Sequence, residues 1–415
     1  LSSGGAGYDP RPGRVGAARG SSGVGAVGRD LSVFVIAGEP SGDALGGAVL
    51  SGLKSLIPNV KISGVGGPLM QAEGLDSLFD MDELSVMGLA EVLPKLPGLL
   101  ARVRQTAEAV IAAQPDILLT IDSPDFCLRV VKRVRATRPD QRVVHYVAPS
   151  VWAWRPERAA KMAPLVDQVL CLLPFEPPFM EAEGMRADFV GHPVAAQPVP
   201  TDEDVSNVRA NLGLQRETPL LLALPGSRRS EMDRLAPIFG PALNRLATRH
   251  PDLRVIVPTV SGLAARVRDL VRNWPGHPVV LAPEGPGWQA KKRAVFAAAD
   301  VALAASGTVS LELAAANTPM VIGYDMNWFS RRIIASRLRI DTVTLVNLVS
   351  ETRAVPEYLG QACTPSSLAT ALEGVLADPS AQAAAMQVTM ERLGRGGEAP
   401  GLRAAHAILD GLSAR

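Results

Sequence analysis

The sequence contains few cysteines, almost no net charge and no long apolar run, and each shortage excludes a class of protein. Its three cysteines, Cys127, Cys171 and Cys363, lie far apart, without the spacing of a metal site or a disulfide framework. Lysines make up only 7 of the 42 basic residues, and a net charge of +1 provides no footprint for nucleic acid. No segment reaches the roughly 18–20 apolar residues of a spanning helix, and no signal peptide is evident. We therefore predict buried, reduced cysteines in a cytosolic protein that binds neither a metal nor nucleic acid.

The chain is long enough for more than one folded domain. Its 415 residues, 47% of them hydrophobic, correspond to about two to three ordinary domains. Residues 1–30 are rich in Gly, Ser and Arg and lack a hydrophobic period, so they cannot bury enough apolar area to offset ordering entropy. We predict that this segment is a disordered tail.

After residue 30, short apolar runs alternate with segments of helical period. Six such runs lie within residues 31–194 and five more within 205–365, and the polar stretch 195–204 has the composition of a linker. Continuous apolar strands alternating with helices are typical of parallel sheets covered on both faces. The sequence therefore predicts an α/β protein with two Rossmann-like doubly wound domains facing across a cleft. The Ala-rich remainder, residues 366–415, is predicted to form helices that pack back on the first domain or on a partner subunit.

Two glycine-containing turns that follow strands of the second domain are suited to anions. LPGSRRSE (224–231) combines backbone N–H groups at a helix start with a guanidinium that fits phosphate oxygens. ASGTVSLE (305–312) opens a helix that we expect Ser306 to cap, with Glu312 placed to accept bonds from ribose hydroxyls. A plain loop and a surface glutamate are the alternatives, and neither turn has P-loop or GxGxxG spacing. Together the turns favour a nucleotide diphosphate, bound by Gly226, Ser227, Arg228, Ser306, Gly307, Thr308 and Glu312.

The turn after the first strand, AGEPSGDALGG (37–47), carries two acids. A glutamate is unsuited to lie against a pyrophosphate, so this turn favours the recognition of hydroxyls such as those of a sugar. We predict acceptor-sugar contacts from Glu39, Ser41, Gly42 and Asp43. Helix capping by Ser41 and Asp43 is the alternative.

HYVAPSVWAWRPERAAK (145–161) places two tryptophans close together after a strand end. Such rings can stack on a sugar face, although a large aromatic side chain is more often part of a core. We predict Ser150 and Trp152 as weaker acceptor-sugar contacts. His145, inside the apolar strand, is predicted to be a hydrogen-bonded structural histidine.

LSVMGLAEVLPKLPGLLARVR (84–104) is rich in Leu and Val and carries cations toward its end. We expect Pro94 and Pro97 to prevent one long helix. An apolar surface with nearby cations is suited to a bilayer interface or to acyl chains, and a buried core helix is the alternative. The predicted membrane or acyl contacts are Val86, Met87, Leu89, Val92, Leu93 and Leu96.

ILLTIDSPDF (117–126) places two acids after a buried strand. Ser123 has the position of an N-cap, Pro124 that of the first helical residue, and Asp125 that of the first turn, where a carboxylate stabilises the helix dipole. Asp122 precedes the cap at the carboxyl end of the strand, where α/β enzymes bind ligands. We therefore predict a structural role for Asp125 and a functional one for Asp122.

Segments spread along the chain closely resemble the bacterial lipid-A-disaccharide synthases. They include AGEPSGDALG, IDSPDF, YVAPSVWAWR, LPGSRRSE and ASGTVSLE, in that order between about residue 32 and residue 361. That family is similar to other GT-B-type glycosyltransferases. The resemblance implies an enzyme that joins UDP-2,3-diacylglucosamine to 2,3-diacylglucosamine 1-phosphate with inversion and without a metal or other cofactor. It also implies a bacterial cytoplasmic protein in peripheral contact with the inner membrane, with a homodimer as one option.

The resemblance assigns roles residue by residue. Asp122 matches the general base that deprotonates the acceptor 6-hydroxyl, and Arg228 matches the residue that balances charge on the leaving diphosphate. Glu312 and Asn347 match positions near the nucleotide.

The chain departs from the family at two positions, and other functions compete with this one. Ala148 stands where the family usually has serine, and Val346 where it usually has proline. The rival interpretations are another UDP-sugar enzyme of the same fold, such as a 2-epimerase or a peptidoglycan-precursor glucosaminyltransferase, and a non-catalytic nucleotide-sugar or lipid-binding protein.

Overall fold

A computed structural model describes residues 30–84, 89–285, 287–325 and 340–413, and within it the side chains of residues 89–96 are not described. The predicted tail therefore lies outside the described residues except for Asp30.

The first half of the chain forms a parallel sheet covered by helices, which we call the N-terminal domain. Its strands are β1 (Leu31–Ala37), β2 (Val60–Val65), β3 (Ile117–Ile121), β4 (Val143–Tyr146), β5 (Gln168–Cys171) and β6 (Arg186–Phe189). Its helices are α1 (Pro40–Leu56), α2 (Pro68–Ala72), α3 (Leu89–Ala113), α4 (Pro124–Thr137), α5 (Glu157–Met162) and α6 (Pro177–Glu181). The strand order is β2-β1-β3-β4-β5-β6, with all pairs parallel.

The second half repeats this architecture in what we call the C-terminal domain. Its strands are β7 (Leu220–Leu224), β8 (Arg254–Pro258), β9 (Val279–Leu281), β10 (Val301–Ala304), β11 (Met320–Tyr324) and β12 (Glu357–Leu359). Its helices are α7 (Asp202–Asn211), α8 (Arg229–Ala247), α9 (Ala264–Val271), α10 (Trp288–Ala297), α11 (Val309–Ala315) and α12 (Leu345–Ser350). The strand order is β12-β11-β10-β7-β8-β9. The predicted α/β class with two doubly wound sheets is confirmed, and only the short strand β12 escaped the sequence pattern.

Each sheet has one place where the strand order reverses. In the N-terminal sheet, β1 pairs with β2 on one side and β3 on the other; in the C-terminal sheet, β7 pairs with β8 and β10. At such a switch point the two connections leave in opposite directions, and a crevice remains at the carboxyl ends of the strands. The crevices therefore lie between the ends of β1 and β3 and between the ends of β7 and β10.

Helix α3 runs from Leu89 to Ala113, so the expectation that two prolines prevent one long helix was wrong. Pro94 and Pro97 lack the N–H that would bond one turn back, which costs about 3 kcal/mol per proline in an isolated helix. The rest of the helix packs against α4 and buries Val103 and Val110 in the core. Tertiary packing therefore outweighs the local propensity.

Three helices follow β12: α13 (Pro365–Ala377), α14 (Ser380–Arg392) and α15 (Pro400–Ser413). The first two pack in the C-terminal domain, α13 against α8 and α14 against α11 and α12, whereas α15 packs against α1 of the N-terminal domain. The chain thus passes between the domains twice, after β6 and after α14. The two passages are bonded side by side: the His192 N–H donates to the Leu393 carbonyl at 3.1 Å, and Arg403 Nη2 donates to the Phe189 carbonyl at 3.0 Å.

The contact of α15 with α1 depends on glycines. A Cβ atom at Gly401 would lie 2.5 Å from the Ala48 carbonyl oxygen, and one at Gly52 would lie 2.8 Å from the Gly401 carbonyl oxygen. Backbone atoms cannot move aside as a flexible side chain can. The two helices therefore approach as closely as they do because neither residue has a side chain.

We expect Gly401→Ala to lower the melting temperature, because the added methyl group forces the two backbones apart at a cost of about 1–3 kcal/mol. Gly374→Ala, in α13, is the matched control because nothing lies within 4 Å of its Cβ position. There the helix propensity of alanine should raise stability by about 0.5–1 kcal/mol. Thermal unfolding followed by circular dichroism measures both, and equal shifts in the two variants would contradict the packing argument.

Candidate active site

Asp122 lies at the carboxyl end of β3 in a strained backbone. It and Ser123 are successive non-glycine residues with positive φ, 50° and 40°. The Asp122 N–H donates to the Tyr146 carbonyl at 2.9 Å, and the Ser123 N–H donates to Asp122 Oδ1 at 2.9 Å. Two such residues in a row persist only where surrounding structure imposes them, and they concentrate at functional sites. This turn holds the Asp122 carboxylate, which is half-buried, at the N-terminal switch point.

The second acid of this segment has a different environment. Asp125 is exposed in the first turn of α4, and Ser123 is the N-cap residue, as the sequence predicts. The Ser123 hydroxyl makes no capping bond, however; it lies against Gly38, where an added Cβ would be 2.9 Å from its oxygen. The β1 and β3 loops therefore approach closely at position 38, where a Cβ atom would displace the Ser123 hydroxyl.

Glu39, which follows β1, is close enough to both Asp122 and Arg228 for their charges to act on its pKa. Burial is the largest cause of its raised pKa, the Asp122 carboxylate raises the pKa further, and the Arg228 guanidinium lowers it. Arg228 belongs to the turn after β7 in the other domain. The two switch points therefore face each other across the cleft, with two carboxylates on one side and a guanidinium on the other.

The other predicted acceptor contacts on this turn differ in what their side chains do. Asp43 is buried, and its carboxylate accepts from the backbone N–H groups of Gly67, Leu69 and Met70 at 2.9–3.0 Å. It therefore fixes the N-terminus of α2. Gly42 packs against the end of β3, and Ser41 is exposed.

A cavity of about 710 Å³ occupies the switch point of the C-terminal domain. The structure brings together here seven of the eight residues predicted to bind the nucleotide sugar. They are Gly226, Ser227, Arg228, Ser306, Gly307, Thr308 and Glu312.

Asn347 is the exception. Its side chain is fully buried outside this cavity, where its amide nitrogen donates to Thr342 Oγ1 and the Val355 carbonyl, and its oxygen accepts from the Val355 N–H at 3.0 Å. The two bonds to Val355 fix the loop between α12 and β12, and the bond to Thr342 holds the segment that precedes α12. The nearby Val346, one of the two departures from the family, is likewise fully buried.

The backbone N–H groups in the turn after β7 already donate to the carboxylate of Glu231, which was not predicted as a site residue. Glu231 Oε2 accepts from the N–H groups of Ser227 and Arg228 at 3.2 and 3.3 Å, and Oε1 lies 3.2 Å from Arg228 Nη1. Gly226, with φ of 112°, passes so close that a Cβ there would meet this carboxylate at 2.6 Å. Arg228 and Glu231 have the spacing of a capping box at a helix start, and this spacing could have predicted the contact of Glu231 with the turn.

The turn after β10 leaves its donors open. Helix α11 begins at Val309 with Thr308 at the N-cap, so the expectation that Ser306 caps it was wrong. Among the described residues, no group accepts from the N–H of Gly307 or Thr308. Glu312 pairs with Lys292, which reaches across from α10.

The cavity is also lined by residues that belong to none of the predicted motifs. Thr259, Trp288 and Gln289 line it after β8 and at the start of α10. Thr259 is nine-tenths buried, and its hydroxyl has no partner among the described residues. A buried hydroxyl without a hydrogen-bond partner lowers the stability of the fold, unless a bound ligand supplies that hydrogen bond.

Trp152 lies in the contact between the two domains. Its ring meets Phe175 edge to face at 5.1 Å, and its Nε1 donates to Glu176 Oε1 at 3.3 Å. Glu176 is buried and also accepts from the N–H groups of Leu172 and Leu173. Burial raises the pKa of Glu176 to about 7. Ser150, the other weak prediction on this loop, is exposed.

His145 is buried within β4, with its Nδ1 2.8 Å from Thr120 Oγ1. Burial lowers its pKa to about 4. These contacts match the structural role predicted for it, and they place it inside the sheet and not in the crevice.

The predicted membrane contacts remain a prediction. Val86 and Met87 lie outside the described residues, and for Leu89, Val92, Leu93 and Leu96 only the helical backbone is described. In the described part of the chain, no helix is long and apolar enough to cross a membrane.

The described ranges contain no group of three or more His, Cys, Asp or Glu side chains placed to hold a metal ion. The three cysteines are buried and unpaired, as predicted.

Comparison with known proteins identifies the family. A sequence profile of the lipid-A-disaccharide synthetases matches residues 33–406. The lipid-A-disaccharide synthase of Ruegeria pomeroyi is 61% identical over 389 residues, which cover 93% of this chain and 96% of that protein. The chain belongs to this family. It is therefore a glycosyltransferase, and the resemblance seen in its motifs is confirmed. The lipid-A-disaccharide synthase of Rhodospirillum centenum is 45% identical, with 93% of this chain and 96% of that protein covered.

Solved structures of low sequence identity share the architecture. The UDP-GlcNAc 2-epimerase of Neisseria meningitidis, bound to UDP-GlcNAc, superposes with a TM-score of 0.60 at 11% identity, covering 93% of this chain and 99% of that one. The glycosyltransferase of kitacinnamycin superposes with a TM-score of 0.59 at 16% identity, covering 92% and 100%. These likenesses show the fold alone, and they confirm the GT-B arrangement for this lipid-A-disaccharide synthetase family member.

The buried Glu176 should make stability depend on pH. Its pKa rises from 4.5 to about 7 on folding, so the stability it contributes is complete below pH 4.5 and is lost as pH rises through 7. The full difference is on the order of 3 kcal/mol. We expect Glu176→Gln to remove this part of the fall in unfolding free energy between pH 5 and pH 8. Denaturant unfolding at several pH values measures it, with the exposed Glu181→Gln as control; an unchanged pH slope in Glu176→Gln would refute the assignment.

Proposed function

We propose that this enzyme joins UDP-2,3-diacylglucosamine to 2,3-diacylglucosamine 1-phosphate, with inversion and without a metal ion. Family membership supports the substrate pair. The observation that carries the mechanism is the pairing of a strained, half-buried carboxylate at one switch point with a guanidinium and an anion-binding turn at the other.

Asp122 acts as the general base in this mechanism. Its carboxylate takes the proton of the acceptor 6-hydroxyl while the hydroxyl oxygen forms a bond to the anomeric carbon of the donor. The bond from that carbon to the β-phosphate oxygen breaks, and its electron pair leaves with UDP. Attack from the side opposite the leaving group inverts the anomeric configuration. A positioned base of this kind contributes about 10²–10⁴-fold.

The leaving diphosphate is stabilised by groups of the C-terminal domain. Arg228 offers a guanidinium, and the N–H groups of Gly307 and Thr308 are open to phosphate oxygens. Fixed donors of this type stabilise charge as it develops in the transition state. The diphosphate also takes over the backbone donors of Ser227 and Arg228, which are bonded to Glu231.

The acceptor and the membrane contact the N-terminal domain. Glu39, beside Asp122, is suited to bond acceptor hydroxyls, with Ser41 and Ser150 as further contacts. Asp43 and Asn347 act by positioning loops, since their polar atoms are engaged by the protein itself. The segment from Val86 to Leu96 makes the peripheral contact with the cytoplasmic face of the inner membrane, which suits an enzyme whose substrates are acylated.

Asp122→Asn should abolish disaccharide formation, because an amide cannot accept the proton, while the affinity for UDP stays near that of the wild type. Asparagine tolerates positive φ as well as aspartate does, so the turn is preserved. Asp125→Asn is the matched control; it should keep activity within a few-fold and lose about 0.3–1 kcal/mol of stability. UDP release with the stated donor and acceptor measures turnover, and calorimetry measures UDP binding. Turnover of Asp122→Asn within a few-fold of wild type would exclude the base role.

Thr259→Val should weaken UDP binding by about threefold to tenfold, because one hydrogen bond contributes roughly 0.5–1.5 kcal/mol. Valine keeps the shape and removes the hydroxyl. Thr259→Ser, which retains the hydroxyl, should bind nearly as well as the wild type. Calorimetric titration with UDP tests this, and equal affinities for all three proteins would mean that the hydroxyl does not contact the nucleotide.

A further inference from the structure

A second cavity, of about 1000 Å³, lies between the domains and shares no lining residue with the nucleotide cavity. We call it the interdomain cavity. Trp152, Phe175 and Phe179 line it from the N-terminal domain, and Leu348 and Val349 line it from the C-terminal domain. The mechanism proposed above does not use it.

The indole nitrogen of Trp152 and one guanidinium nitrogen of Arg392 in its wall are already bonded within the protein, and the two glutamates in the wall are exposed. Trp152 Nε1 donates to Glu176, and Arg392 Nη1 donates to the Val349 carbonyl at 2.7 Å and pairs with Glu351 at 2.9 Å. A ligand rich in polar groups would lose its hydrogen bonds to water here without replacing them. The interdomain cavity therefore suits a hydrocarbon.

The apolar wall is also left uncovered. Phe179 is 43% exposed, although it lies beside other aromatic side chains that could have enclosed it. Contiguous exposed apolar surface in a cavity of this size marks a place that a ligand or partner covers.

The interdomain cavity is connected to the base by one loop. The Tyr146 carbonyl at the end of β4 accepts from the Asp122 N–H, and the chain continues from Tyr146 through Ser150 to Trp152 in the cavity wall. The same loop therefore contributes to the surroundings of both Asp122 and the interdomain cavity.

Two guanidinium groups belong to the chain segment that contributes Pro156 to the cavity wall. Arg155 and Arg158 stack on the Trp154 ring at 4.2 and 5.4 Å, on either side in sequence of Pro156, which lines the cavity. Neither forms an ion pair with a carboxylate among the described residues. Stacking leaves their N–H groups available to an anion.

We propose that the interdomain cavity binds the acyl chains of the phosphorylated acceptor sugar, and that Arg155 and Arg158 bind its phosphate. The inference rests on the proposed function and adds to it a place for the hydrophobic part of one substrate. Three observations match an anionic, acylated ligand. The wall is mostly apolar, it shares a loop with the hydrogen-bond partner of Asp122, and that loop carries two guanidinium groups without an ion pair among the described residues.

The acyl part is tested by chain length. We expect Phe179→Ser combined with Leu348→Ser to raise the KM for the long-chain acceptor at least tenfold and to leave the KM for an acceptor with two acetyl groups unchanged. Leu56→Ser is the matched control, because Leu56 is a similarly exposed leucine, 37%, at the far end of α1. It should change neither KM.

The anionic part is tested by titrating the protein with dodecyl phosphate below its micellar concentration. Binding of this compound in the interdomain cavity should change the tryptophan fluorescence. Dodecanol should bind more weakly than dodecyl phosphate to the wild type. Arg155→Gln with Arg158→Gln should remove this difference and should also raise the KM for the phosphorylated acceptor.

Three outcomes separate the possibilities. A KM for the long-chain acceptor that is the same in the wild type and the Phe179, Leu348 variant would overturn the proposal. So would a defect seen only with vesicle-borne substrate and absent with detergent-dispersed substrate, since that would assign the surface to bilayer lipid. A wild type that releases no UDP while dodecyl phosphate still binds would refute the proposed function instead, and leave an acyl-anion site.

Discussion

The candidate active site is organised around an electrostatic opposition across the cleft. Glu39 and Asp122 lie at the carboxyl edge of one sheet, and Arg228 lies at the carboxyl edge of the other, close enough for both to act on the pKa of Glu39. The charges belong to separate domains, so neither domain alone contains the site. The reversal of strand order in each sheet brings the loops that carry these charges to the cleft. The positive φ of Asp122 marks the point where the backbone leaves the direction of β3 and begins the turn that carries this carboxylate.

Much of the fold and part of the site could be predicted because their causes are local. Buried apolar runs of strand length reveal the sheets, and the order of Asp122, Ser123 and Asp125 around a helix start distinguishes an acid at the strand end from one in the first turn of the helix. Glycine turns directly after strands predict, for the same reason, residues that line the cavity of the C-terminal domain. Each of these features is decided by residues within one short segment.

The parts that could not be predicted depend on partners distant in sequence. Asp43 is used by the N-terminus of α2, more than twenty residues away, and the isolation of the Thr259 hydroxyl follows from packing that no motif encodes. Asn347 matches a family position near the nucleotide, yet its amide is engaged by Thr342 and Val355, on either side of its own helix. Helix α3 could not be predicted for the same reason. It continues past Pro94 and Pro97 because it packs on α4, which the local helix propensity does not reveal.

The paired passages between the domains have a consequence for motion. His192 and Leu393 are hydrogen-bonded to each other where the chain leaves the N-terminal domain and where it returns, and Arg403 ties the returning segment to Phe189. A single linker would allow the domains to rotate in any direction. Two linkers bonded side by side instead restrict relative rotation to bending about the line they share, because twisting would break the bonds that join them.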